Sequence, residues 1–339
     1  MVSLIRQPDA AALAEAAAAL RAGLLVAMPT ETVYGLAGHA LDATAAGRIF
    51  HAKARPAFDP LIVHVPSLAA AESLVTEMPP LARRLAEAFW PGPLTLVLPK
   101  RPSVPDLVTS GLASVALRVP AHPVAQALLQ QAGLPLAAPS ANRFGGISPT
   151  TAAHVAAELA DAADLKMILD GGPCPRGVES TIVRVDGGRM TILRLGSLSL
   201  EELETHGPLE VKNHLDSPPD DASEKQLPGG AVPGAGMTER HYAPQTPLQL
   251  VDSPEHAAAL AGRRVGLLCF SSQQAVAGFG ETRVLSPAGD LVEAAARLFA
   301  AMRELDALSL DRLVAIALPE HSVGRAINDR LRRASAPKS

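Results

Sequence analysis

The sequence predicts an α/β protein in two domains, on three observations. Short apolar runs that read as buried strands alternate with helical stretches along most of the chain. The 339 residues are long for one hydrophobic core. From about Gly207 to Pro247 periodicity is lost and Pro, Gly, Asp and Ser take over, which reads as a linker. Residues 1–206, 207–246 and 247–339 are therefore the expected first domain, linker and second domain.

Taken in order, Ala11–Arg21 reads as an Ala-rich helix and Leu24–Met28 as a strand, followed by PTETVYGLAGHA from Pro29. Thr30 or Thr32 suits a helix N-cap with Glu31 in the first turn, and equally a ligand site at a strand's carboxyl end. Ala43–Ala54 is helical and stops at Pro56. Leu61–Val65 is a strand, Leu81–Phe89 a helix, and Thr95–Pro99 and Val115–Pro120 are strands. Pro123–Gln131 is a helix, LPLAAPSAN runs from strand to turn, and RFGGISPT is a loop whose Thr150 or Thr151 caps the next helix. LKMILD is a strand. STIVRV and MTILRL form a hairpin about Asp186-Gly187-Gly188. Ser199 to Glu202 fits a capping box. Beyond the linker LQLV, RRVGLLCF, TRVL and DRLVAIAL alternate with helices, including Asp290–Leu308 and about Val323–Arg333, which implies a small parallel α/β domain.

Composition narrows the function classes. The apolar fraction is 48%, the charged fraction 19% and the formal net charge -4, an ordinary globular balance not built for nucleic acid by bulk charge. Aromatics are 3%, which argues against stacking platforms for single-stranded bases. Cys174 and Cys269 make neither a disulfide framework nor a thiolate metal site and suggest a reducing compartment. No apolar run approaches the ~20 residues of a membrane span, and the N-terminus has no signal-peptide pattern, so a cytoplasmic location is expected.

The first two-thirds repeats one pattern, an apolar strand that carries or ends in an isolated polar group. These groups are Thr32, His64 in LIVHV, Arg118 in VALRV, Ser140 and Asn142 after LAAP, Ser180 and Thr181 before IVRV, and Arg194 in ILRL. A lone His in a strand is more often a satisfied core residue, and a lone Arg more often on the solvated face. Six strands sharing the pattern favour a polar pocket on one sheet face, because buried charges need partners and few acids are placed to pair with Arg118 and Arg194. Lys53 and Arg55 add charge suited to phosphate or carboxylate, although they also suit a helix C-terminus. Ser140, Asn142, Gly145, Gly146 and Ser148 make a Ser/Gly loop before a helix, which suits a phosphate. No nucleophile–base pair stands out, so the chemistry reads as positioning and charge neutralisation.

PTETVYGLA, KARPAFDPLIVHV, ALRVP, APSANRFGGISPT, ESTIV and RLG, in this order, resemble the YrdC-type threonylcarbamoyl-adenylate synthases over roughly Gly23 to Gly196. HYAP after the linker resembles that family's longer, two-domain branch. The resemblance implies a YrdC-like twisted mixed sheet with helices, a linker, and a small Rossmann-like parallel α/β domain. It implies a nucleotidyltransferase that converts L-threonine, bicarbonate and ATP to threonylcarbamoyl-AMP and pyrophosphate. The product would serve threonylcarbamoyladenosine modification of tRNA, with a downstream tRNA-modifying complex as the possible partner. Stable nucleic-acid binding and a membrane role are not expected. Mg²⁺ is expected on the ATP phosphates rather than in a protein cage.

By motif position, Thr32, His64, Arg118 and Ser180 are implied to surround threonine. Lys53, Arg55, Asp59, Ser114, Ala138, Ser140, Asn142, Ser148 and Arg194 are implied on the nucleotide side, with Tyr242 closing over it from the linker. Two positions depart from the family pattern: Asp59 where Asn is expected, and Phe144 where a small residue is usual. A carboxylate at Asp59 would repel phosphates unless Mg²⁺ or Arg55 intervenes. Rival readings are a carbamoyl-adenylate-forming enzyme, disfavoured by the two cysteines, and a non-catalytic double-stranded RNA-binding module, disfavoured by the acidic net charge.

Overall fold

A computed structural model describes residues 4–186, 188–211 and 240–337. They fall into two compact units. The first comprises residues 4–144, 149–174 and 179–211, and the second residues 145–148, 175–178 and 240–337.

The first unit is built on an eleven-stranded mixed sheet. Its strands are β1 (Ile5–Arg6), β2 (Leu25–Met28), β3 (Gly35–His39), β4 (Ile62–His64), β5 (Leu94–Pro99), β6 (Ser114–Arg118), β7 (Leu136–Ala137), β8 (Leu165–Leu169), β9 (Thr181–Asp186), β10 (Arg189–Arg194) and β11 (Leu209–Val211). Their order is β1-β8-β2-β3-β7-β4-β6-β5-β9-β10-β11, so strands distant in sequence lie side by side. Helices α1 (Ala10–Arg21), α2 (Ala43–Lys53), α3 (Leu68–Glu72), α4 (Pro80–Phe89), α5 (Asp106–Thr109), α6 (Pro123–Ala132), α7 (Ala152–Leu159) and α8 (Leu200–Glu204) flank it.

Thr151 caps α7, and Ser199 and Glu202 form the reciprocal capping box of α8, both as expected; Asp9 and Asp42, not singled out from the sequence, cap α1 and α2. Ala54, in the left-handed region at φ 50°, ends α2. The hairpin of β9 and β10 is antiparallel with Val183 opposite Ile192; Gly187 of its turn lies outside the described residues. So does most of the expected linker, residues 212–239. Leu209–Val211, read from sequence as the start of that linker, instead pairs parallel to β10 as the edge strand. Its three residues are too few to show a period.

Strand alternation sorts side chains to two faces. On one, Val63, Leu96, Leu117, Val183 and Ile192 join the main core. On the other, α1 and α6 pack over Val26, Met28, Ala37 and Leu136. Further along that second face Ile62, Val97, Ala116, Ile182 and Leu193 form a separate small cluster that contains no helical residue. His64 and Arg118, expected from the sequence as site residues, alternate onto this stretch.

The second unit carries a parallel sheet of β12 (Leu248–Val251), β13 (Val265–Cys269), β14 (Glu281–Val284) and β15 (Arg312–Ile316), in the order β12-β15-β13-β14. Helices α9 (Pro254–Ala258), α10 (Leu291–Asp306) and α11 (Gly324–Ser335) connect and flank the strands, with the Asp290 side chain capping α10 as expected. No helix among the described residues is long and apolar enough to cross a membrane.

Candidate active site

The stretch from Pro29 to Tyr34 is a turn between antiparallel β2 and β3, not the start of a helix. Thr30 therefore caps no helix. Its Oγ1 accepts from the N–H groups of Thr32 and Val33, each at 3.2 Å, and donates to the Val33 carbonyl at 2.6 Å. The same side-chain-to-backbone bonds that cap a helix here close a tight turn. With the Thr30 proton committed to Val33, the hydrogen between Thr30 and Thr32 Oγ1, 2.9 Å apart, belongs to Thr32.

Arg118 meets this turn from β6. Its Nη1 donates to Thr32 Oγ1 at 2.9 Å, its Nε to the Gly92 carbonyl at 3.2 Å, and its Nη2 lies 2.6 Å from Glu31 Oε1. The expectation that few acids are placed to pair with Arg118 and Arg194 does not name the one that does: Glu31, next to Thr32, is the buried partner of Arg118. Burial pushes the Glu31 carboxyl up. The Arg118 charge and hydrogen bond, with a donor from Ala121 N–H at 3.0 Å, outweigh this and hold it below the usual carboxylate range.

His64 stands opposite Arg118 in the parallel register of β4 and β6. Burial, and then the Arg118 charge, push its pKa down to about 3, so the ring is neutral. Nδ1 faces the Ile62 carbonyl at 3.2 Å; since a carbonyl only accepts, Nδ1 carries the proton. Ser180, just ahead of β9, lies 2.8 Å from the hydroxyl of Thr95 on β5 and accepts from Arg194 Nη2 at 3.1 Å. Arg194 also donates to the Ser180 carbonyl at 2.9 Å. Thr181, by contrast, is structural: its hydroxyl donates to the Leu198 carbonyl at 2.6 Å.

A second cluster forms where α2 ends. The Lys53 ammonium donates to the carbonyls of Ser140, at 2.6 Å, and Asn142, and burial, then the Arg55 charge, lower its pKa to about 7. Arg55 pairs with Asp59 at 2.8 Å, both side chains buried, and donates to the carbonyls of Asp59 and Pro60 at 3.0 Å. The repulsion anticipated at Asp59 is thereby offset by Arg55. The Phe144 ring lies 5.9 Å from the same guanidinium, so both departures from the family pattern converge on Arg55. Ala138 N–H donates to the Ile62 carbonyl at 2.9 Å, and Ser114 opens β6 opposite Pro99.

Ser148 and Tyr242 belong to the second unit. Tyr242 is buried there at φ 61°, stacked on Phe299 at 5.7 Å and 4.9 Å from the Arg330 guanidinium. Sequence reasoning missed Thr95 and left Glu31 unassigned. Thr95 showed the signal already used elsewhere, one polar residue in an apolar strand.

Comparison with known proteins places this geometry. Residues 18–196 match the Sua5/YciO/YrdC family model described as Telomere recombination, and residues 198–336 match the model described as Threonylcarbamoyl-AMP synthase, C-terminal domain. The chain is 40% identical over 332 residues to threonylcarbamoyl-AMP synthase of Bacillus subtilis, covering 95% of this chain and 92% of that protein. It is 41% identical to the Pyrococcus abyssi protein of the same name, covering 94% and 93%. The crystal structure of P. abyssi Sua5 complexed with L-threonine superposes with a TM-score of 0.87 at 38% identity, covering 98% of this chain and 96% of that one. E. coli YciO, 22% identical with a TM-score of 0.50 over 57% of this chain, shares the fold. End to end, across both units, the chain belongs to the threonylcarbamoyl-AMP synthase family.

Proposed function

We propose that the protein is an adenylate-forming nucleotidyltransferase that joins L-threonine, bicarbonate and ATP into threonylcarbamoyl-AMP with release of pyrophosphate, supplying threonylcarbamoyladenosine modification of tRNA. The observation that supports this most is the buried group of Thr32, His64, Arg118 and Ser180 on one sheet face. It occurs in a chain that aligns along its length with a relative solved with L-threonine.

In this reading the threonine carboxylate meets Arg118, and Thr32, neutral His64 and Ser180 orient the molecule. Bicarbonate condenses with the threonine amine to a carbamate and water. A carbamate oxygen then forms a bond to the ATP α-phosphorus as the bond to pyrophosphate breaks. The substrates supply nucleophile and leaving group, so the protein contributes position and charge. Lys53, Arg55 and Arg194 carry cationic charge for the phosphates, and Ser114, Ala138, Ser140, Asn142 and Ser148 hold the nucleotide. Asp59 sets the Arg55 guanidinium, and the resemblance assigns Tyr242 to the nucleotide.

Among the described residues no cluster of three or more His, Cys, Asp or Glu side chains could hold a metal. Mg²⁺ is expected to arrive on the ATP phosphates, where it would neutralise charge on the leaving pyrophosphate. Pyrophosphate release from ATP is expected to require both threonine and bicarbonate. Release that persists when each is omitted would overturn the reading.

A further inference from the structure

Arg118 does not enter the threonine subsite as a bare cation. Glu31 Oε1 lies 2.6 Å from its Nη2, with both side chains buried, and Glu31 Oε2 accepts from Ala121 N–H at 3.0 Å. The charges that act on His64 are those of Arg118 and Glu31. His64 itself is neutral, and half-buried His122, which senses Glu31, is also held toward the neutral form by burial. The Cys174 thiol, near the same pair, is pushed up to about 12 by burial and stays uncharged. Around Arg118 the fixed charges therefore cancel, while the Arg194 guanidinium, 3.1 Å from Ser180 Oγ, is a further cation assigned to the nucleotide side.

We propose that Glu31 is a specificity-determining residue: by cancelling the charge of Arg118 it leaves the carboxylate-binding end of the threonine subsite without net charge, so that the subsite takes a zwitterionic amino acid and rejects a carboxylic acid lacking the amine. The inference rests on the reading of this face as the threonine subsite. A simple carboxylate would be drawn to Arg118 and repelled by Glu31 a short distance away, leaving little net attraction to offset its desolvation. A zwitterion brings both charges to a site that presents both. Thr32 agrees with this. Its own hydrogen is directed to Thr30 and it already accepts from Arg118, so it has a lone pair and no hydrogen to offer, which suits a ligand donor such as an ammonium.

The test is calorimetric binding to the full chain of three probes: threonine; 3-hydroxybutanoate, which keeps the carboxylate and lacks the amine; and threonine methyl ester, which keeps the ammonium and lacks the carboxylate. The unaltered protein is expected to bind threonine at least about tenfold more tightly than either. In Glu31→Gln the preference for threonine over 3-hydroxybutanoate is expected to narrow by about tenfold or more. A merely structural role for Glu31 would weaken both ligands together, and that result would overturn the proposal. So would 3-hydroxybutanoate binding the unaltered protein as tightly as threonine does. Should Glu31→Gln fail to fold, the three-probe comparison on the unaltered protein decides alone. Selective threonine binding without threonine-dependent pyrophosphate release would sink the functional reading and leave the inference standing. Equal binding of threonine and 3-hydroxybutanoate by a protein that does release pyrophosphate would sink the inference alone.

Discussion

Lys53 is fully enclosed, and its depressed pKa has a consequence for stability. In the unfolded chain it keeps its proton up to about 10.5, whereas in the folded protein burial and Arg55 bring the value to about 7. Below pH 7 both states are protonated and the folded one bears the full cost of a buried ammonium. Between 7 and 10.5 the unfolded state binds more protons, so stability rises with pH. Nucleotide-free protein is therefore expected to gain resistance to urea from pH 7 to pH 9.5, and Lys53→Met to flatten that gain. A wild-type profile that stays flat or falls over this interval would show that Lys53 keeps its proton without penalty. Asp59 and Phe144 carry a related lesson. Each is a departure when read alone, yet the structure sets both on one guanidinium, a link no linear motif displays.

At the scale of elements, the close approach of two strand ends governs the Ser180 wall. Gly196, just past β10, lies so near β9 that a Cβ there would sit 2.4 Å from the Ser180 carbonyl carbon and from the Thr181 nitrogen. Both are backbone atoms and cannot step aside. Gly196→Ala is expected to cost about 1–3 kcal/mol of stability by overpacking and to disturb Ser180. Urea melts and the threonine KM check this; unchanged values in both would mean that the strand ends part freely.

The elements themselves were largely legible. Apolar runs gave most of the strands, caps gave the starts of α7, α8 and α10, and Pro and Gly gave several breaks, while the short β1, α3 and α5 were not read at all. The Pro29–Tyr34 turn was ambiguous because Thr30 makes the same bonds in a cap and in a hairpin turn, and only the pairing of β3 decides between them. The charge partner of Arg118 was invisible for another reason: Glu31 lies 87 positions away, and adjacency arises only through the sheet order.

For the whole molecule, the division into units cuts across the sequence. Residues 145–148, from the Ser/Gly loop that reads as a phosphate loop, cluster with the second unit. There Ala243 N–H donates to the Gly145 carbonyl at 2.9 Å and the Arg303 guanidinium donates to the Ile147 carbonyl. Arg303→Ala is expected to speed amide hydrogen exchange across residues 145–148 while leaving β2 and β8 unchanged. Equal protection in the variant would show that the helix does not secure the loop. The sheet order has a kinetic consequence as well. Thr32, His64, Arg118, Ser180 and Arg194 come from five separate stretches, the β2–β3 turn, β4, β6, the residue ahead of β9, and β10, which meet only when the strands from β2 to β10 assemble in one sheet. Pairings so remote along the chain form late and slowly, since each must first close a long loop. A nascent or partly refolded chain would then hold secondary structure before it can hold an amino acid, and recovery of threonine binding would trail recovery of helical circular dichroism.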